Sequence, residues 1–293
     1  MVGRSGRVRR LAAVAAVAVA ATGACGGGTA ASGATLRVSG STTVNPVAAD
    51  AAEALRRRGM AVTVDSQGGS AGGIAQLGAG QVEVAMSSKA LTDEDRARFP
   101  EVDFVATEIG RDALAVVVRR EVADGGVRGL DRDRLRAVFE GRVANWRELG
   151  GPDLAVFVYD KEPGRGTREV LDRYLYGPGG KPPPPPASDR VAVVGGNEEA
   201  RAKLASTPGS VGPLSLAFAR GHDRLAALAV DGVAPSPATV KDGTYPLARP
   251  LFLVTDGPPA GPAGRFVDYV LSAEGQAIVA GHGFLTLDEV GRG

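Results

Sequence analysis

The sequence predicts an α/β protein with parallel sheets, and three features point there. Short apolar runs of strand length alternate with amphipathic runs of helical length. The connections that follow the apolar runs are rich in Gly, Ser and Thr, and 42 glycines in 293 residues supply tight turns throughout. The balance of 44% hydrophobic and 23% charged residues is that of a globular chain, long enough for two lobes with sizeable cores. A formal net charge of +1 gives no global field that would draw nucleic acid.

The first residues stand apart from this rhythm. Arg4, Arg7, Arg9 and Arg10 precede an apolar stretch from Leu11 to Ala21, and small residues Thr22, Gly23 and Ala24 lead to Cys25, the sole cysteine. This is the pattern of a signal peptide over residues 1–24. A lone Cys directly after small residues resembles a bacterial lipoprotein signal, in which that Cys is lipidated and becomes the first residue, although Thr22 stands where Leu is usual. A cleaved secretory peptide and an uncleaved anchor are the alternatives; the apolar run is short for a spanning helix. Without its four Arg the remaining chain has 30 basic and 33 acidic residues and is mildly acidic. With one Cys it forms no internal disulfide. Residues 25–34, rich in Gly, read as a flexible tether.

From there each unit is strand, polar loop, helix. Thr35–Ser39 alternates as a strand, Gly40–Thr43 turns, and Asn45-Pro46 opens an Ala-rich helix to about Arg58. Val62–Asp65 is the next strand, followed by a Gly-rich loop, Ser66–Gly73, and a short helix, Ile74–Ala79. Val82–Met86 is a third strand ending in Ser87-Ser88-Lys89. Val102–Ala106 and Ala113–Arg119 are two further apolar runs, the second carrying the chain into another lobe. Asp131–Phe139 is a helix stopped by Gly141. The only Trp, Trp146, is expected to pack at the surface. Gly177–Pro186 reads as an exposed loop of polyproline character. Val191–Val194, a helix from about Glu198 to Ala205, and Ser210–Leu214 form another unit. Leu225–Val230 is a strand, Ala248–Val254 a strongly apolar strand returning to the first lobe, and Arg265–Ala280 a C-terminal helix.

The most informative stretch is Asp160–Arg168. A strand over Leu154–Tyr159 leads in, and a helix from Glu169 to Tyr176 leads out. The turn between them holds Pro163, Gly164 and Gly166 and ends on Thr167. It brings backbone N–H groups, a hydroxyl and the cations Lys161, Arg165 and Arg168 toward one spot at a helix N-terminus, which suits an oxyanion. An ordinary N-capped turn reads the same way.

Other chemistries find little support. His222 and His282 are far apart, and no Cys/His/Asp spacing suits zinc or calcium. There is no Gly-x-Ser-x-Gly elbow, Walker A loop or dinucleotide fingerprint. Neither an enzyme nor a cofactor is expected. What recurs instead is a hydroxyl at strand ends: Ser41, Thr42 and Thr43; Ser70; Ser87 and Ser88; Thr167. In open parallel sheets ligands sit beyond these carboxyl ends.

Four segments resemble the phosphate-binding lipoprotein of bacterial ABC phosphate importers: Ser39–Pro46, Gly68–Ile74, Ala85–Lys89, and Val138–Trp146 with Gly166-Thr167-Arg168 downstream. Weaker similarity continues through Thr207–Gly212 and Asp231–Val233, so the match keeps its order along nearly the whole mature chain. The resemblance implies a two-lobed periplasmic-binding-protein fold (type II) with the ligand in the cleft. The first lobe would comprise residues 35–112 plus 247–293 and the second 113–246. It implies inorganic phosphate as ligand and an ABC permease as partner. It places the protein on the outer face of the cytoplasmic membrane, lipid-anchored through Cys25.

Matching the family's anion contacts are Thr42 and Thr43, Ser70, Gly166 and Thr167, with Ser41 beside them in the first loop. Three positions depart. Ser88 stands where many members place Asp or Arg, Lys161 where Arg is usual, and Arg165 where Ser is usual. Ser88 is a weak acceptor for the proton of hydrogen phosphate, Lys161 keeps the charge without the bidentate fork, and Arg165 either restores that fork or points to solvent. These changes leave another oxyanion (sulfate, molybdate or tungstate) as the nearest alternative, with a phosphate-sensing surface lipoprotein lacking a transport role as the next.

Overall fold

A computed structural model describes residues 35–184 and 189–291. The leader, the tether with Cys25, and Pro185 and Pro186 of the proline run lie outside the described residues. Eleven strands are seen among the described residues: β1 Leu36–Gly40, β2 Val62–Asp65, β3 Val84–Ser87, β4 Phe104–Arg119, β5 Gly129–Leu130, β6 Phe157–Lys161, β7 Val191–Val194, β8 Ser210–Ser215, β9 Leu225–Ala227, β10 Ala229–Val230 and β11 Ala248–Asp256. Nine form one sheet in the order β2-β1-β3-β11-β4-β8-β6-β7, with β9 also paired to β4, and β5 pairs with β10 separately.

The sheet has two parallel wings. Strands β1, β2 and β3 run parallel on one side, and β6, β7 and β8 run parallel on the other. The long antiparallel strands β4 and β11 join them. β4 pairs with β11 from Phe104 to Ala113 and with β8 from Leu114 to Val118, so it changes partner between Ala113 and Leu114. The two apolar runs expected around this region are therefore parts of one strand. The polar residues between them do not end it, because β11 pairs throughout and absorbs the irregularity in a register shift at Leu251/Phe252.

Each wing has its own core. Helix Asn45–Arg57 buries Val47, Ala48, Ala51, Ala52 and Leu55, a stripe at helical spacing, against Leu36, Val38 and Leu253. In the other wing Leu135, Val138, Val158, Leu171 and Val211 pack around Trp146. Trp146 is fully buried rather than superficial. Its Nε1–H donates to the Gly209 carbonyl at 2.8 Å, which removes the cost of burying the indole donor.

Four boundaries differ from expectation. The Gly-rich loop after β2 is already helix from Gly69 to Gly78. A Cβ on Gly73 would lie 2.6 Å from the Ser39 carbonyl oxygen, so glycine lets this helix start against the end of β1. The C-terminal helix is two, Gly261–Leu271 and Ala273–Gly281, because Ser272 leaves helical geometry and caps the second through Gly275 N–H. The predicted strand Leu225–Val230 divides at Leu228 into β9, which pairs with β4, and β10, which pairs with β5. Helix Gly166–Tyr176 begins three residues earlier than the sequence suggested, which places Gly166 and Thr167 in its first turn.

Candidate functional site

The carboxyl ends of β1, β3, β6 and β7 and the helix starts beyond them converge on one small pocket, with about 200 Å³ of empty space. Ser41, Thr42 and Thr43 line it from the loop after β1, Ser70 from the helix after β2, and Ser88 from the end of β3. Lys161, Arg165, Gly166 and Thr167 line it from the opposite wing. All nine predicted ligand-contact positions thus come together. Gly69, Gly195 and Asn197 line it as well.

Four helices begin at the pocket, at Asn45, Gly69, Gly166 and Asn197, and none carries a side-chain cap. Elsewhere among the described residues Thr92, Asp131, Ser236 and Ser272 do cap their helices, while the helices starting at Arg120, Leu216 and Gly261 have no side-chain cap. None of the pocket hydroxyls caps the four helices that begin there. First-turn N–H groups lie there without the side-chain acceptors that helix starts usually recruit, and such groups favour an anion.

Beneath the pocket lies a residue the sequence reading missed. Arg249, on β11, is 1% exposed and pairs with Asp112, also buried, through Nε at 3.0 Å and Nη2 at 2.7 Å to the same carboxylate oxygen. Its remaining donors reach Thr43 Oγ1 at 3.1 Å, Thr167 Oγ1 at 3.0 Å and Ser88 Oγ at 3.5 Å. One guanidinium thus holds hydroxyls from both wings. Ser215 Oγ donates to the other Asp112 oxygen at 2.8 Å. Burial pushes the Asp112 carboxyl up, while Arg249 and Ser215 act in the opposite direction.

The cations predicted near the turn separate. Lys161 is buried, and its Nζ donates to the carbonyls of Gly195 and Gly196 at 3.2 and 2.8 Å. Burial first, then the neighbouring Arg165 and Arg249, bring its pKa down from the ordinary 10.5 to about 7; Glu199 and Glu162 oppose them. Arg165 does not point to solvent: its side chain is 14% exposed, and its Nε and Nη2 both meet Glu162 Oε2, at 3.0 and 2.5 Å. Arg168 does not join the pocket. It turns to Asp160, Asp172 and the Lys161 carbonyl, tying the turn to its own helix. Lys89 is likewise directed elsewhere, to Asp95 and Glu169 at 2.8 and 2.9 Å.

The two wings are in contact around the pocket. Ala71 N–H donates to the Gly164 carbonyl at 3.0 Å and Asn197 Nδ2 to Thr43 Oγ1 at 2.9 Å. A Cβ on Gly166 would lie 2.6 Å from Ser88 Oγ and 2.7 Å from Ser70 Oγ. Among the described residues no group of three or more His, Cys, Asp or Glu is placed to hold a metal ion. Hydroxyl and backbone donors around a buried guanidinium and a buried lysine suit a small oxyanion.

A family model described as a PBP superfamily domain matches residues 26–274. The chain belongs to the PBP superfamily. Its curated relatives include the phosphate-binding protein PstS of Bacillus subtilis (strain 168), 28% identical over 258 residues, covering 87% of this chain and 82% of the relative. The phosphate-binding protein PstS of Borreliella burgdorferi is 28% identical over 255 residues, covering 85% and 88%. Among solved structures, one from Clostridium perfringens with bound phosphate, described as a phosphate ABC transporter substrate-binding protein, superposes with a TM-score of 0.75. It is 26% identical and covers 86% of this chain and 99% of its own. An ABC-type phosphate transport receptor from Vibrio cholerae, 22% identical with a TM-score of 0.69 and coverage of 86% and 99%, shares the fold. The two-lobed α/β architecture of the PBP superfamily is thus the fold of this chain.

Proposed function

We propose that this protein is an extracytoplasmic solute receptor that captures inorganic phosphate and hands it to an ABC permease. The observation that carries the reading is the pocket itself, where uncapped helix starts and hydroxyls from both wings meet around Arg249 and Lys161. The PstS relatives and the phosphate-bound structure from Clostridium perfringens support the same ligand.

In this reading residues 35–112 with 247–293 are one lobe and 113–246 the other, with β4 and β11 as the crossovers. The anion accepts from Thr42, Thr43 and Ser70 of the first lobe and from Gly166 N–H, Thr167 and Lys161 of the second. Its charge rewards the arrangement in which both sets of donors are close, so binding favours the closed form that a permease recognises. Ser41 and Ser88 brace the first loop, and Arg165 screens the mouth beside Glu162. No covalent chemistry is required. Cys25, lipidated after removal of residues 1–24, would hold the receptor at the outer face of the cytoplasmic membrane.

Calorimetry with phosphate, sulfate, molybdate and tungstate tests the function. Selective phosphate binding is expected. Tight binding of one of the other anions, with none of phosphate, rejects it.

A further inference from the structure

One polar atom in the pocket is left over. Among the described residues, Asn197 Oδ1 is the buried side-chain acceptor without a hydrogen-bond partner, and Asn197 is 1% exposed and lines the pocket. Its Nδ2 is engaged by Thr43 Oγ1 at 2.9 Å, so the amide is held across the two wings. An orphaned buried acceptor costs about 1–3 kcal/mol unless something donates to it.

Two of the surrounding hydroxyls have both acceptor positions taken. Thr43 Oγ1 accepts from both Asn197 Nδ2 and Arg249 Nη2, which fills its two lone-pair positions and leaves only its O–H to give. Ser88 Oγ accepts from Ser41 Oγ at 3.0 Å and from Arg249 Nη1 at 3.5 Å. Thr167 Oγ1 accepts once, from Arg249 Nη1, and so has one of its two acceptor positions filled. Arg249 therefore biases Thr43, Ser88 and Thr167 toward donating their own protons. The carboxylates near Lys161 are committed too: Glu162 to Arg165, and Glu199 to the Gly195 N–H at 2.8 Å.

We infer that Asn197 is the specificity-determining residue of the pocket, accepting through Oδ1 the hydrogen bond of a proton-bearing tetrahedral oxyanion. This rests on the oxyanion reading above and goes beyond it. Phosphate at neutral pH retains at least one proton, which its P–O–H can donate to Oδ1. Sulfate retains none, so it would set an oxygen lone pair against that of Oδ1 in a site where neither meets water. The donor set attracts either anion, and the unpartnered buried acceptor separates them.

The test is calorimetric affinity for phosphate and for sulfate, with sulfate measured by competition, in wild type, Asn197→Leu and Asn197→Asp. Circular dichroism melts check the fold. In Asn197→Leu the phosphate-to-sulfate affinity ratio is expected to fall about tenfold or more, the size of a lost buried hydrogen bond. Asn197→Asp keeps an acceptor of the same shape and is expected to hold or raise the ratio; if the Leu variant fails to fold, this variant decides. A Leu variant that weakens both anions by the same factor, or an Asp variant that loses discrimination, overturns the inference while leaving the receptor function standing. A wild type that binds sulfate as tightly as phosphate overturns this inference through the pocket's selectivity, and one that binds no phosphate removes the receptor function with it. In a crystal structure of the phosphate complex, a phosphate oxygen within hydrogen-bond distance of Oδ1 supports the assignment, and a water in that place overturns it.

Discussion

Arg249 and Asp112 stand opposite each other in register across the β11–β4 ladder, and both N–H···O bonds of the pair end on one carboxylate oxygen. The pair belongs to the core and to the floor of the pocket together. Removing one member leaves a buried charge alone, which typically costs about 3–5 kcal/mol. Asp112→Leu and Arg249→Met are each expected to lose stability on that scale in urea unfolding. The double variant is expected to regain most of it, because two apolar side chains replace both charges. Equal losses that simply add would show that the two residues are not energetically coupled.

Thr167 separates an anion donor from a helix cap. Its helix has Arg165 at the N-cap position with no side-chain cap, and Thr167 lies inside the first turn. Thr167→Val is therefore expected to weaken phosphate binding by about 1–3 kcal/mol through loss of a buried donor, together with a lowered Tm because Arg249 Nη1 loses its 3.0 Å acceptor. A lowered Tm with unchanged affinity would return the residue to a purely structural role.

Lys161 predicts a pH dependence with two opposite signs. Its folded pKa of about 7 lies below the ordinary 10.5, so between those values the unfolded chain binds more protons. Its contribution to stability therefore rises with pH through that window, and the full cost of the buried charge is felt below about 7. Anion binding runs the other way, since an anion favours the ammonium. Above pH 7, binding is expected to take up a proton and to weaken as pH rises. Calorimetry in two buffers of different ionisation enthalpy reads the uptake. Lys161→Arg stays charged and should abolish this component, which separates it from the titration of phosphate itself. Identical uptake in the two proteins would assign the proton elsewhere.

Gly166 sits where the two wings meet. The methyl of Gly166→Ala would lie within 2.7 Å of the Ser70 and Ser88 hydroxyls, so closing the pocket would require those loops to shift. Overpacking of this kind costs about 1–3 kcal/mol. The cost is expected in phosphate affinity, and small-angle scattering should give a larger radius of gyration with phosphate present than for wild type. Unchanged affinity and radius would mean that the wings need not come this close.

The pocket was readable where its chemistry coincides with a strand end. Ser41 to Thr43, Ser70, Ser88 and Gly166-Thr167 each follow an apolar run, and the parallel topology delivers them to one edge. Arg249 escaped because it lies inside a run dominated by Ala, Leu, Phe and Val, where alternation says strand and nothing says ligand. The signal was there in combination: a cation in one apolar strand, and Asp112 at the start of another, have no reason to be buried except each other. Asn197 escaped because Gly195-Gly196 before it reads as a plain turn, though it repeats the strand, glycine and polar-helix-start pattern of the other loops. The fully buried Trp146 and the early start of helix Gly69–Gly78 depended on a distant carbonyl, Gly209, and on a distant backbone approach at Ser39. Local patterning cannot supply either.

The ladder that joins β4 to β11 has a consequence for any attempt to retarget this receptor. Most pocket groups sit on loops and first helical turns at the edge of the sheet. The guanidinium does not: it arrives on a crossover strand, tied to a carboxylate on the other crossover. Engineering a neutral-solute sensor from this scaffold would therefore mean replacing both residues in one step. A library that varies the loops alone should keep yielding binders of anions.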